Sequence, residues 1–163
     1  MSFINTRKNA FLESIPKVSI EDKSDYIARK CKFNFSYFDH TQEPAQNFSD
    51  WSNEQLLKLL WKLHEYSKES LLHWQKMPVG KKSGHVLEIY KSFPNKSDFS
   101  HPKHVPHQAQ WGRFRLEGSV RLVGFTIPDD FKNIEQNSSG FKFCTNTFYV
   151  VFLDKDHRFY KTK

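Results

Sequence analysis

Cysteine is nearly absent. The 163 residues hold two, Cys31 and Cys144, far apart and outside any Cys-x-x-Cys pair. That excludes a disulfide scaffold and the usual cysteine framework of a structural zinc site. Long apolar runs are missing as well: no stretch approaches the ~20 apolar residues that span a bilayer. The opening segment, Met1 to Lys17, is polar and mixed in charge and lacks the apolar core of a secretory signal. The expectation is a cytoplasmic protein with no membrane partner. Repeats and low-complexity runs are also lacking, which sets aside solenoids and arrays. Acidic residues are the scarcer charge, 18 Asp and Glu against 25 Lys and Arg, for a formal net charge of +7. Hydrophobic residues make up only 37%, but 16 Phe, 4 Trp and 6 Tyr are among them. Rings that large build a core from few aliphatic partners, so a disordered chain is excluded and one domain is expected.

Along the chain, residues 1–30 read as a peripheral arm, with one short helix around Thr6 to Ser14 and Pro16 as an interruption. The alternation of Phe33, Phe35 and Tyr37 predicts a strand over 32–38 with one buried face. Ser52 followed by Gln55 forms a capping box for a helix over 53–75, which carries Leu56, Leu59, Leu60, Leu63 and Tyr66 on one face. At ~23 residues that helix would be ~35 Å long, and Tyr66-Ser67-Lys68 is where it can break. Strands are predicted over 86–93, 111–116, 120–127, 141–153 and 157–160, with Gly118 at the turn of a central hairpin. Residues 99–110 read as an extended segment and 128–140 as a polar loop. Helices first and strands afterwards give an α+β fold, N-terminal helices packed on a C-terminal antiparallel β-sheet, within a single domain over 31–163 whose basic sheet starts near residue 81.

The hairpin carries the most chemistry. Strand alternation places Arg113 and Arg115 on one face, and Arg121 on the neighbouring strand with Val123 and Phe125. Guanidinium groups grip phosphate oxygens in pairs and stay charged at every accessible pH. The plainer reading is a solvated edge balanced by Glu88, Glu117 or Asp156. Three histidines, His101, His104 and His107, recur every third residue between prolines. On an extended path of ~3.1 Å per residue they lie ~9 Å apart, too far to meet on one ion, so no metal site is expected. Interleaved with Lys103, they suit a polyanion better, or an ordinary polar loop. Asp154 to Tyr160 brings His157, Arg158 and Tyr160 together near the end of a strand. His157 and Tyr160 can exchange a proton or orient a phosphate, or make structural hydrogen bonds. Trp111, Phe114, Phe125 and Tyr160 are candidate stacking platforms for bases, or core rings.

Trp111-Gly112-Arg113-Phe114-Arg115, followed by Arg121-Leu122-Val123-Gly124-Phe125, resembles the RelE/ParE superfamily of bacterial toxins in its YoeB-like branch. That branch has a Trp-x-Arg strand, a short turn and an Arg-Leu-Val strand, and it ends on a strand carrying His or Tyr. The resemblance covers about residues 81–163. It implies a compact α+β ribonuclease that needs no metal or other cofactor, cuts mRNA, usually on the ribosome, by attack of the neighbouring 2′-hydroxyl, and is silenced by an antitoxin protein. Carried over residue by residue, Arg121 matches the arginine that stabilises phosphate charge. His157 or Tyr160 matches the group protonating the leaving oxygen, and Arg113 and Arg115 would grip flanking phosphates. Two departures stand out. The branch has a carboxylate base upstream of its Trp, whereas residues 99–110 hold no Asp or Glu. His101, His104 or His107 would have to replace it, or Asp98 would have to reach in. The first 80 residues also exceed what these toxins carry.

The expected function is therefore an endoribonuclease toxin, with Arg121, His157, Tyr160 and His104 in catalysis and Arg113, Arg115, His101, Lys103, His107 and Arg158 holding RNA. The alternative is a non-catalytic module that uses the same basic patch for nucleic acid or an acidic protein. A third reading makes the Leu-rich helix an interface for a structural partner.

Overall fold

The computed structural model describes residues 5–162. Helix α1 (Thr6–Ser14) is capped by the Asn5 side chain and buries none of its residues. None of residues 5–30 is buried. This segment meets the domain at Arg29, whose guanidinium lies 2.8 Å from Glu69 and whose carbonyl accepts from Asn146 Nδ2. Strand β1 (Lys32–Asn34) is shorter than the ring alternation predicts. Asn34 Oδ1 accepts from both the amide and the hydroxyl of Ser36, which turns the chain before Phe35 and Tyr37 can extend the ladder.

The capping box of Ser52 and Gln55 starts helix α2 (Asn53–Tyr66). Ser67 bonds back to the Leu63 carbonyl, and Ser70 caps the six-residue helix α3 (Leu71–Lys76). The long helix thus breaks where its two serines compete for backbone groups. A two-strand ribbon, β2 (Pro78–Val79) and β3 (Gly84–His85), leads into the main sheet. That sheet contains β4 (Leu87–Lys91), β5 (Gln110–Arg115), β6 (Arg121–Thr126) and β7 (Thr147–Asp154), in the order β1-β7-β6-β5-β4.

The sheet is mixed rather than antiparallel throughout. β4, β5, β6 and β7 are antiparallel neighbours, but β1 lies parallel to β7, Phe33 opposite Phe148. The fold is α+β. The long strand expected over 141–153 begins at Thr147, because Phe141 and Phe143 instead pair locally with Gln136 and Ile134. No strand forms over 157–160. There the Asp154 carboxylate accepts the amides of Arg158 and Phe159 and folds the chain back.

Alternation sorts the core into two layers. On one face Phe114, Leu122, Phe148, Val150 and Leu153 cluster with Leu59, Tyr66, Leu71 and Trp74 of the two helices. The Tyr66 ring stacks on Phe114 at 4.7 Å, and its hydroxyl donates to the Arg115 carbonyl. The opposite face, with Trp111, Val123, Phe125 and Phe152, is covered by Phe99, Val105 and Ala109 from the 92–109 segment and by Phe159 of the tail. β6 is buried along its whole length as a result. Gly112 and Gly124 oppose one another at its centre. A Cβ on Gly124 would meet the Tyr149 carbonyl at 2.1 Å, so only glycine allows this approach.

Candidate functional site

The hairpin register sets the site. Gly118 takes φ +50° at the turn, and Leu116 and Val120 close it by backbone bonds. Arg115 then lies opposite Arg121, and Arg121 opposite Asp154; in the next row Glu88 lies opposite Arg113. Directly opposed residues share a face. Three guanidinium groups therefore share the face covered by the 92–109 segment and the tail, Arg113 and Arg115 half-buried and Arg121 buried.

Arg121 is 4% exposed. Its Nη1 donates to the carbonyls of Gly118 (2.6 Å) and Val120 (2.9 Å), and its Nε has no partner. Arg113 donates from Nε to the Tyr90 hydroxyl at 2.6 Å, leaving Nη1 buried and unpartnered. Arg115 Nε is buried and unpartnered too. Among the described residues the hydrogen bonds of these three side chains go to carbonyls and a phenol, none to a carboxylate. Asp154, 1% exposed, is the nearest acid by register, but both its oxygens are taken by backbone amides. Burial pushes the Arg121 guanidinium down to about 10, and repulsion from Arg113 and Arg115 adds to it. Buried donors of this kind, mutually repelling and lacking acceptors, are chemically suited to an oxyanion.

His157 joins this group. It sits at φ +58°, an unusual backbone imposed by the Asp154-anchored turn. Burial lowers its pKa, followed by the charges of Arg121 and then Arg113. Each of these effects favours the neutral imidazole. Tyr90 is buried enough to raise its phenol, partly offset by Arg113, and Tyr160 stacks on it with ring centres 4.6 Å apart and planes within 2°. Glu88 borders the cluster. Its Oε1 accepts the His85 amide at 2.8 Å and lies 3.2 Å from His85 Nδ1.

The other sequence candidates lie elsewhere. His104 stacks on Tyr37, with Nε2 3.0 Å from the Tyr37 carbonyl. His101 packs on Phe93 and Trp111, with Nδ1 2.9 Å from the Pro102 carbonyl. Lys103 and His107 are exposed on the same segment. None of these histidines is among the causes that shift Arg121 or His157, and no group of three or more His, Cys, Asp or Glu among the described residues could hold a metal ion. Arg158 grips Glu43 through both Nη atoms (3.2 and 2.9 Å) and Asp98 through Nε (2.9 Å). Those partners raise its pKa, Glu43 first. Asp98 makes no hydrogen bond to Arg113, Arg115 or Arg121; Lys161, and then Arg158, hold its carboxyl below the usual range. Trp111, Phe114 and Phe125 are buried core rings and offer no face to a base.

The sequence reading missed Tyr90 and His85 and treated Glu88 only as a balancing charge. Strand period two aligns 88 with 90, but their meeting with Arg113 depends on the β4–β5 register, which no local signal fixes. No helix among the described residues is long and apolar enough to cross a membrane. No protein-family model, curated protein or solved structure matches the chain.

Proposed function

We propose that this protein is an endoribonuclease toxin that cuts mRNA without a metal ion, works on ribosome-bound message, and is held in check by an antitoxin protein. The observation that carries the reading is the set of unpartnered guanidinium N–H groups on Arg113, Arg115 and Arg121. A phosphodiester supplies the acceptors they lack, and charge developing on its oxygens strengthens every such bond. The toxin resemblance of the same two strands supplies the reaction class.

The chain's own residues give each step a group. Glu88, held by the His85 amide and opposite Arg113, takes the place of the carboxylate base absent from 99–110 and accepts the 2′-hydroxyl proton. The 2′-oxygen forms a bond to phosphorus, the bond from phosphorus to the 5′-oxygen breaks, and the three arginines hold the non-bridging oxygens. The phosphate offsets the Arg121 and Arg113 charges that disfavour a protonated His157, which donates its proton to the leaving 5′-oxygen. The products are a 2′,3′-cyclic phosphate and a 5′-hydroxyl end.

The test incubates purified protein with mRNA loaded on ribosomes and reads the new ends. Cyclic phosphate ends that disappear with Glu88→Gln, and with a 2′-deoxy sugar at the cut, support the reading. Salt-sensitive binding with intact RNA would replace it with the non-catalytic module.

A further inference from the structure

Beside the arginines lies a pair of opposite charges that the sheet brings together and does not join. Glu88 on β4 stands directly across from Arg113 on β5. Residues so opposed have Cβ atoms about 5 Å apart, and opposite charges in such positions attract one another. Each side chain is nevertheless bonded elsewhere. Arg113 donates from Nε to the Tyr90 hydroxyl at 2.6 Å. Glu88 Oε1 accepts the His85 amide at 2.8 Å and lies 3.2 Å from His85 Nδ1. An ionised carboxylate can only accept, so Nδ1 carries the proton in that contact. Two N–H groups of one residue thus hold one oxygen of Glu88. Among the described residues the other oxygen, Oε2, has no hydrogen bond, and neither has Arg113 Nη1.

His85 is itself held from outside the main sheet. Its strand β3 pairs with β2, Pro78 opposite His85, and the adjoining Val86 donates to the Met77 carbonyl and accepts the Arg115 amide. The imidazole is 41% exposed, and the Glu88 contact is its one hydrogen bond among the described residues. A carboxylate closed onto a guanidinium is a poor base, because the neighbouring charge favours its ionised form, and the guanidinium N–H groups are then no longer free for phosphate. We infer that His85 is a positioning residue: its imidazole, with Tyr90 on the arginine side, keeps Glu88 and Arg113 out of the ion pair that their register invites. Oε2 is then free to take the 2′-hydroxyl proton while Arg113 holds phosphate. The inference rests on the ribonuclease reading for the reaction that uses both groups.

The test is single-turnover cleavage of mRNA loaded on ribosomes, at saturating protein, by the wild type, His85→Leu and His85→Asn, each also combined with Glu88→Gln. Leu removes the ring donor and keeps the backbone amide; the Asn carboxamide offers an N–H in place of Nδ1–H. His85→Leu is expected to slow cleavage roughly 10- to 100-fold, and His85→Asn to restore most of the rate. In the Glu88→Gln background, where no base remains to be misplaced, His85→Leu should cost nothing further. A crystal structure of His85→Leu should show the Glu88 carboxylate closed onto the Arg113 guanidinium. A Leu variant as fast as wild type, an Asn variant as slow as Leu, an equal loss in the Glu88→Gln background, or a Glu88 carboxylate that stays apart from Arg113 overturns the positioning role. Where that happens with RNA cut by the wild type and spared by Glu88→Gln, the ribonuclease stands without it. A wild type that leaves every message intact overturns both.

Discussion

Replacing Arg121 by Met should separate stability from function. The side chain is 4% exposed, and its guanidinium is held down to about 10 by burial and by Arg113 and Arg115. Relative to an ordinary arginine, that depression corresponds to roughly 3 kcal/mol of unfavourable free energy in the charged form. Methionine is of similar reach, fills an irregular space and carries no charge, so it relieves this cost. It also loses two bonds from Nη1 to the Gly118 and Val120 carbonyls, together about 2–3 kcal/mol. The two nearly cancel. Urea or thermal unfolding of Arg121→Met should give a stability within about 1 kcal/mol of wild type, a change in Tm of about 4 °C or less for a chain of this size. RNA cleavage should fall by about 100- to 1000-fold, as when a donor to developing charge is removed. A variant that loses several kcal/mol would refute the repulsion reasoning. A stable variant that cuts RNA at the wild-type rate would refute the placement of Arg121 in the site.

The His157 ring should titrate below the ordinary histidine value of about 6.5, because burial, Arg121 and Arg113 all disfavour its charged form. NMR should show the midpoint moving up in Arg113→Gln; a wild-type midpoint at or above the ordinary value contradicts this. Between the two values the unfolded chain takes up a proton that the folded chain refuses, so His157 makes stability fall as pH drops from about 6.5 through its folded pKa. Asp154→Asn leaves only one acceptor for the Arg158 and Phe159 amides and sets an amide N–H against the other. It should destabilise by roughly 2–4 kcal/mol and release the turn that holds His157, measured by unfolding and by loss of cleavage. Gly124→Ala forces a Cβ against the Tyr149 carbonyl, 2.1 Å away, and should destabilise by more than about 2 kcal/mol. An alanine variant as stable as wild type would mean that β6 and β7 lie farther apart than described.

What was legible in the sequence is what local chemistry determines. The hairpin register follows from Gly118 and the alternation of Arg113, Phe114 and Arg115, so the shared face of the three arginines needed no knowledge of the rest of the chain. The start of α2 at Ser52 and its break beside Ser67 were written in capping residues. What was not legible depends on residues distant in sequence. The parallel pairing of β1 with β7 joins Lys32 to Thr147, and no pattern within a three-residue strand announces it. Arg158 read as a free cation because its partners, Glu43 and Asp98, are far upstream. The tail read as a strand because the carboxylate that folds it, Asp154, looked like an ordinary turn residue. His104 drew attention through its spacing, yet its ring is held by Tyr37; Glu88 and Tyr90, on the strand expected over 86–93, border the arginines instead.

Induced expression in a bacterium, with mRNA ends mapped by primer extension, tests the central claim most directly, because it supplies ribosomes as well as RNA. The account predicts growth arrest and new mRNA ends from the wild type, and neither from Arg121→Met or Glu88→Gln expressed to the same level. Intact messages and normal growth under the wild type would contradict it, as would the same new ends from the variants.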